Sequence, residues 1–235
     1  MVNLFRNLFR SSLGKKYLMA GSGAVMFLFV LGHLAGNLQV FLGSEAINSY
    51  GHFLQSNVEL LWPVRIALLA TIALHIWSAT RLTLENRAAR PQAYEHWEPT
   101  AASYASRTMM WSGVIVAFFI VYHLLHYTVM VKAVNLTNQD FHSFTEVLRN
   151  HEERHDIYRM MVTGFQQPIV SIFYLVGVGL LCLHLSHGIS AMFQSLGWKK
   201  RSYGECLDRA SKWVAVLIFL GYSSIPVAIM LRLIQ

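Results

Sequence analysis

Charge is scarce in this chain: 13% of its 235 residues are Asp, Glu, Lys or Arg, against 54% hydrophobic ones. That ratio excludes an ordinary soluble domain and points to a bundle embedded in a membrane. Acid is scarcer than base, 12 residues against 19, for a formal charge of +7. In so apolar a chain, the basic excess reads as loops held at one membrane face, and no nucleic-acid partner is expected. Cysteine is nearly absent. Cys182 and Cys206 stand on different segments without a CxxC, which argues against a cysteine zinc site and against covalent c-type haem attachment. Cys182 lies in an apolar run and reads as a small core residue. A cleavable signal is not expected either, because the first apolar run is of spanning length and follows a basic, amphipathic start.

What is present is apolar length. Residues 1–16 set Leu4, Phe5, Leu8 and Phe9 beside Arg6, Arg10, Lys15 and Lys16. This pattern predicts a short cytoplasmic helix lying on the lipid surface, with a disordered basic tail as the plain alternative. Residues 17–235 then form the second unit, an all-α integral membrane bundle of five transmembrane helices. The spans run roughly Tyr17–Leu42, Trp62–Leu84, Thr108–Val131, Gln167–Gln194 and Trp213–Leu233. The connections are too short for a further domain. Gly21, Ser22 and Gly23 in the first span, and Gly177 and Gly179 in the fourth, predict close approach of a neighbour or a flat ligand. Basic residues near the helix ends divide thirteen against six between the two sides. That asymmetry places the amino terminus in the cytoplasm and the carboxyl terminus outside.

The first four spans each carry histidine: His33, His75, His123 or His126, and His184 or His187. The fifth has none. Imidazole in hydrocarbon is costly and marks function, and neutral imidazole is a common metal ligand. By helical rise from the cytoplasmic ends, His33 and His123 lie ~24 and ~22 Å deep, whereas His75 and His184 lie ~13 and ~15 Å deep. Four histidines on consecutive helices thus fall into two matched layers. Two nitrogen donors per layer make a poor tetrahedral zinc site. They suit bis-histidine haem iron, which favours electron transfer over oxygen chemistry. A single membrane histidine is more often a hydrogen-bonder between helices. His126 and His187 are read that way, as packing or propionate partners three residues from a ligand candidate. The carbonyls of Phe29, Thr71, Phe119 and Leu180, one turn earlier, are expected to hold the second ring nitrogens. Gly36, Ala79, Gly177 and Gly188 are expected to make room for a flat macrocycle. His52, His96, His142, His151 and His155 read as solvated loop residues.

The runs GHLAGNLQVF around His33, LHIWSATRLTLENRAARPQAY around His75, FFIVYHLLHYT around His123 and HLSHGISAMFQSLGW from His184 carry a resemblance. Together they resemble the five-helix, two-haem cytochrome b subunit of succinate:quinone oxidoreductases and the related fumarate reductases. The resemblance extends from Lys16 to about Trp213, and its most specific parts are ENRAARP and the HxxxG…GW spacing of the fourth span. It implies that His33 and His123 ligate a distal haem b and that His75 and His184 ligate a proximal one. His184 rather than His187 matches because Gly188 follows it by four residues and Trp198 closes the Gly-aromatic pair. His123 matches as the first histidine of HLLHY. Some menaquinol-oxidising members carry a glutamate two residues before the fourth ligand. Cys182 stands there, which leans towards succinate oxidation.

The resemblance further implies a flavoprotein subunit and an iron–sulfur subunit as partners at the cytoplasmic face of a bacterial inner membrane. A membrane quinone, menaquinone for preference, is the implied substrate. Arg81, Arg65, Lys132 and Tyr127 are candidates to meet haem propionates, with snorkelling to the interface as the competing account. Glu59, Gln55 and Trp62 are candidates for a quinone pocket. The competing readings are a dihaem cytochrome b of a hydrogenase or formate dehydrogenase, and a haem-free transporter or anchor.

Overall fold

The structure is a computed structural model that describes residues 2–89, 104–148, 151 and 153–235, and within these the side chains of all but 2–5 and 104–106. Arg90, Pro91, His96, Pro99 and Arg149 lie outside the described residues, so the end of the ENRAARP run does too.

Helix α1, Val2–Arg10, opens the chain, and α2, Ser12–Asn37, ends in a 3₁₀ turn at Leu38–Leu42. Gly43 (φ 99°), in the left-handed region that glycine tolerates, separates this turn from α3, Ser44–Ser56. Then come α4, Val58–Ala88, and α5, Tyr104–His123, which widens into a π turn at Leu124–Thr128. A 3₁₀ turn at Phe141–Ser143 leads to strands β1, Thr145–Val147, and β2, Glu153–His155, paired antiparallel. Helices α6, Ile157–Phe165, α7, Pro168–Ser195, and α8, Gly204–Met230, complete the chain.

Among the described residues, five stretches are long and apolar enough to cross a membrane: Ser12–Leu42, Val58–Ala88, Arg107–Thr128, Pro168–Ser195 and Gly204–Met230. Leu28, Ile66, Phe118, Ile169 and Trp213 on them are between 61% and 72% exposed. Apolar surface of that extent has a hydrocarbon solvent rather than water.

The chain divides into two compact units. The first comprises Met1–Val30, Pro63–Met110 and Leu183–Ala215. Here α1 is tied to α4 by Phe9 on Trp77, ring centres 5.5 Å apart. Lys15, almost wholly buried, reaches Glu85 at 2.5 Å and the carbonyl of Arg10 at 2.9 Å. Helix α2 starts at Ser12, so residue 16, the end of the expected amino-terminal segment, lies inside a helix. At the start of α8, Lys199 meets Asp208 at 2.7 Å, and Ser190 donates to the same carboxylate.

The second unit comprises Leu31–Trp62, Trp111–Cys182 and Val216–Gln235. Its connections are not plain loops. The buried Asn48 of α3 donates to Glu146 (2.6 Å) and Asp156 (3.0 Å) and accepts from the backbone of Tyr158 (2.8 Å). The buried Arg154 of β2 binds Glu146 at 2.6 Å, Glu45 at 2.5 Å and Ser49 at 2.8 Å. Phe141, Phe144 and Met160 form a small core beneath, with Tyr127, Met130 and Ile157 packed on it. Two polar connections thus fold into one cap joining α3, the hairpin and α6.

Candidate functional site

Four helices supply the imidazoles. His33 stands one turn before the end of α2, and His123 is the last residue of α5 before the π turn. Both belong to the second unit, and their ring centres are 5.8 Å apart. His75 of α4 and His184 of α7 belong to the first unit, with ring centres 6.4 Å apart. Two imidazoles that share one metal end-on, each with a bond of about 2.0 Å, set their centres about 6 Å apart. Both pairs have that spacing. All four rings stay partly accessible, whereas the neighbouring His126 is wholly buried. Among the described residues no group of three or more His, Cys, Asp or Glu could hold a bare metal ion. Two donors alone fit a group that brings its own equatorial ligands, as haem does.

The tautomer of His75 follows from its partners. Nδ1 lies 3.2 Å from the carbonyl of Met19 and 3.1 Å from Ser22 Oγ, whose own proton goes to the carbonyl of Leu18. Both are acceptors, so Nδ1 carries the proton and Nε2 keeps a free lone pair. The partners are therefore on α2, in place of the expected carbonyl of Thr71 one turn earlier on α4. In the other pair, Asn37 donates to the carbonyl of His33 at 2.7 Å and stands 3.3 Å from its Nδ1. His123 Nδ1 lies 3.3 Å from the hydroxyl of Tyr174. The sequence marks Ser22 only as a small residue of the first span and does not mark Tyr174, although each is a hydroxyl within an apolar run at spanning depth.

The remaining candidates separate. His126 is packing, stacked on Tyr127 at 4.0 Å and bonded to Tyr174 at 3.1 Å. His187 lies within electrostatic reach of Asp208 and Lys199. Gly23 faces the ring of His75, from which a Cβ would stand 3.5 Å. Gly36 and Gly177 do not leave open space: Tyr50 covers the first and the Phe119 ring the second. Of the propionate candidates, Arg81 is paired with Glu85 at 3.9 Å, and Lys132 is exposed. The hydroxyl of Tyr127 is buried, against Gly164. Gln55 belongs to α3, not to the helix carrying Glu59 and Trp62, and all three are exposed. His155 is half-buried 3.4 Å from Met160 Sδ, and burial lowers its pKa, so it is not simply solvated. His142 holds the carbonyl of Val129 at 3.0 Å.

A helical membrane bundle in which imidazoles meet in pairs across helices defines the class of protein. The chain belongs to the family of the succinate dehydrogenase/fumarate reductase transmembrane subunit, whose profile matches residues 84–223. That match spans more than half of the chain and includes His123, Tyr174 and His184, but stops short of His33 and His75. No curated protein and no solved structure matches the chain. Membership makes it a membrane subunit of that oxidoreductase complex and implies association with the complex's other subunits.

Proposed function

We propose that this chain is the cytochrome b anchor of a succinate:quinone oxidoreductase, relaying electrons between an iron–sulfur subunit and a membrane quinone. His33 and His123 hold a distal haem b, and His75 and His184 hold a proximal one. The observation that carries this reading is the spacing of the two imidazole pairs, 5.8 and 6.4 Å between ring centres. Bound between the imidazoles of each pair, a haem would supply a one-electron couple suited to electron transfer.

The chain's own residues do the rest. Met19 and Ser22 hold the proton of His75 on Nδ1, which leaves its Nε2 lone pair free for a metal. Both pairs stand on spans apolar enough to cross a membrane. The flavoprotein and iron–sulfur subunits dock at the basic, cytoplasmic face of a bacterial inner membrane, where the amino terminus lies. Menaquinone is the quinone of choice. Succinate oxidation is the favoured direction, because a buried thiol, Cys182, stands where a proton-carrying glutamate is found in some fumarate reductases.

A dithionite-reduced minus oxidised spectrum of the purified complex, with haem counted per chain, tests this. Two low-spin b haems support it, and one breaks the symmetric pairing. None, in folded protein produced with adequate haem, leaves a haem-free anchor or transporter.

A further inference from the structure

Tyr174 of α7 sets its hydroxyl between two imidazoles, 3.3 Å from His123 Nδ1 and 3.1 Å from His126 Nδ1. A phenol has one proton, so it donates to at most one of the two rings. Geometry and chemistry decide which. His123 faces His33 and, on the reading above, needs its Nε2 lone pair for iron, so its proton sits on Nδ1 and is given to Tyr174. The tyrosine proton then has His126 Nδ1 as its acceptor. His126, wholly buried, carries its own proton on Nε2, an atom with no hydrogen-bond partner within the protein. The tyrosine cannot readily turn away. It is 6% exposed, with Phe165 edge-on at 5.0 Å, Phe119 edge-on at 5.3 Å and Tyr122 at 5.9 Å.

We propose that Tyr174 is a positioning residue that fixes the tautomer and ring plane of His123 and lowers the redox potential of the haem His123 ligates, with His126 holding the tyrosine in the accepting orientation. The inference rests on the haem reading and goes beyond it. Accepting a hydrogen bond from Nδ1–H makes the imidazole a more basic ligand, which stabilises ferric iron. It also gives the second histidine of HLLHY a purpose that ligation does not. His75 finds a backbone carbonyl and a serine instead of a phenol, so the two pairs are tuned separately.

The test is a redox titration of the two b haems in the purified complex, with low-spin electron paramagnetic resonance alongside. Tyr174→Phe keeps the ring packing and removes the hydroxyl. Both haems stay, and one potential rises by about a tenfold change in the reduced-to-oxidised ratio, ~59 mV for a one-electron couple. The other stays put. His126→Leu moves the same haem the same way by less, whereas His126→Asn, whose amide oxygen stands near the lost Nδ1, restores the wild-type value. Tyr122→Phe, which removes a hydroxyl bonded to the carbonyl of Val134, moves neither haem. Two haems with unmoved potentials and an unchanged resonance spectrum in both Tyr174→Phe and His126→Leu overturn the inference and leave the haem reading intact. Loss of a haem in Tyr174→Phe also overturns it, since the hydroxyl is assigned tuning and not attachment. Absence of haem from the wild type defeats the underlying reading instead, and is seen before any variant is made.

Discussion

Giving Gly177 a methyl group probes the packing behind the His33–His123 pair. A Cβ on Gly177 of α7 overlaps the Phe119 ring of α5. That ring is 8% exposed and has little freedom to retreat, with Tyr174 at 5.3 Å, Phe173 at 5.9 Å and His123 at 6.3 Å. Inserting one carbon into so close a contact costs about 1–3 kcal/mol through displaced side chains and backbone. At about 2–4 °C per kcal/mol for a chain of this size, Gly177→Ala melts about 2–12 °C below the wild type. The assay is thermal unfolding in a single detergent, followed by far-ultraviolet circular dichroism. Phe119→Leu also destabilises, by loss of buried ring. If the clash is the cause, the double variant loses less than the two single losses together, with a coupling of about 0.5–3 kcal/mol. Gly177→Ala melting with the wild type, or simple addition in the double variant, refutes the reasoning.

Two further outcomes are expected. His184→Ala reduces the haem content from two to one per chain and His187→Ala leaves both, measured by pyridine haemochrome; the reverse result moves the ligand three residues along α7. In the cap, hydrogen bonding from Arg154 and then Ser49 holds the Glu45 carboxyl down from 4.5 to about 2. A depressed carboxylate contributes stability that is present above its unfolded value and lost as pH falls towards the folded one. Hydrogen-exchange protection of α3 and the hairpin therefore declines between pH 4.5 and about 2, and Glu45→Gln flattens that decline. Glu45 is 79% exposed, so the effect is small and weakens further in salt. An equal decline in Glu45→Gln assigns it to other groups.

Some of this architecture is legible without coordinates and some is not, for physical reasons. Apolarity marks where a helix meets lipid, so the five spans are readable. It does not mark where a helix ends. Helix α8 begins at Gly204 rather than Trp213 because Glu205, Asp208 and Lys212 are polar residues of a helix that has already left the hydrocarbon. The pairing of His33 with His123 and of His75 with His184 is legible because helical rise is constant, so equal depth can be counted. The cap is not legible. Asn48, Arg154 and Glu146 look like solvated loop residues until folding brings together positions about a hundred residues apart. The close approach foreseen at Gly177 is real, but its occupant is Phe119 and not a macrocycle. Tyr174 carries no spacing signal at all, since a phenol in an apolar run acquires meaning only from what stands opposite.

The π turn at Leu124–Thr128 bears on how this chain tolerates changes of length. A π turn is an α-helix carrying one surplus residue, here accommodated directly after His123, where Val129 donates to Leu124 at 2.7 Å. Deleting Leu124 or Leu125 would let the ladder relax to ordinary α-helix, so the backbone itself would gain. The same deletion would set His126 two positions from His123 instead of three, so that the two imidazoles no longer share a face towards Tyr174. A shorter chain would thus have the smoother helix and an unsupported imidazole.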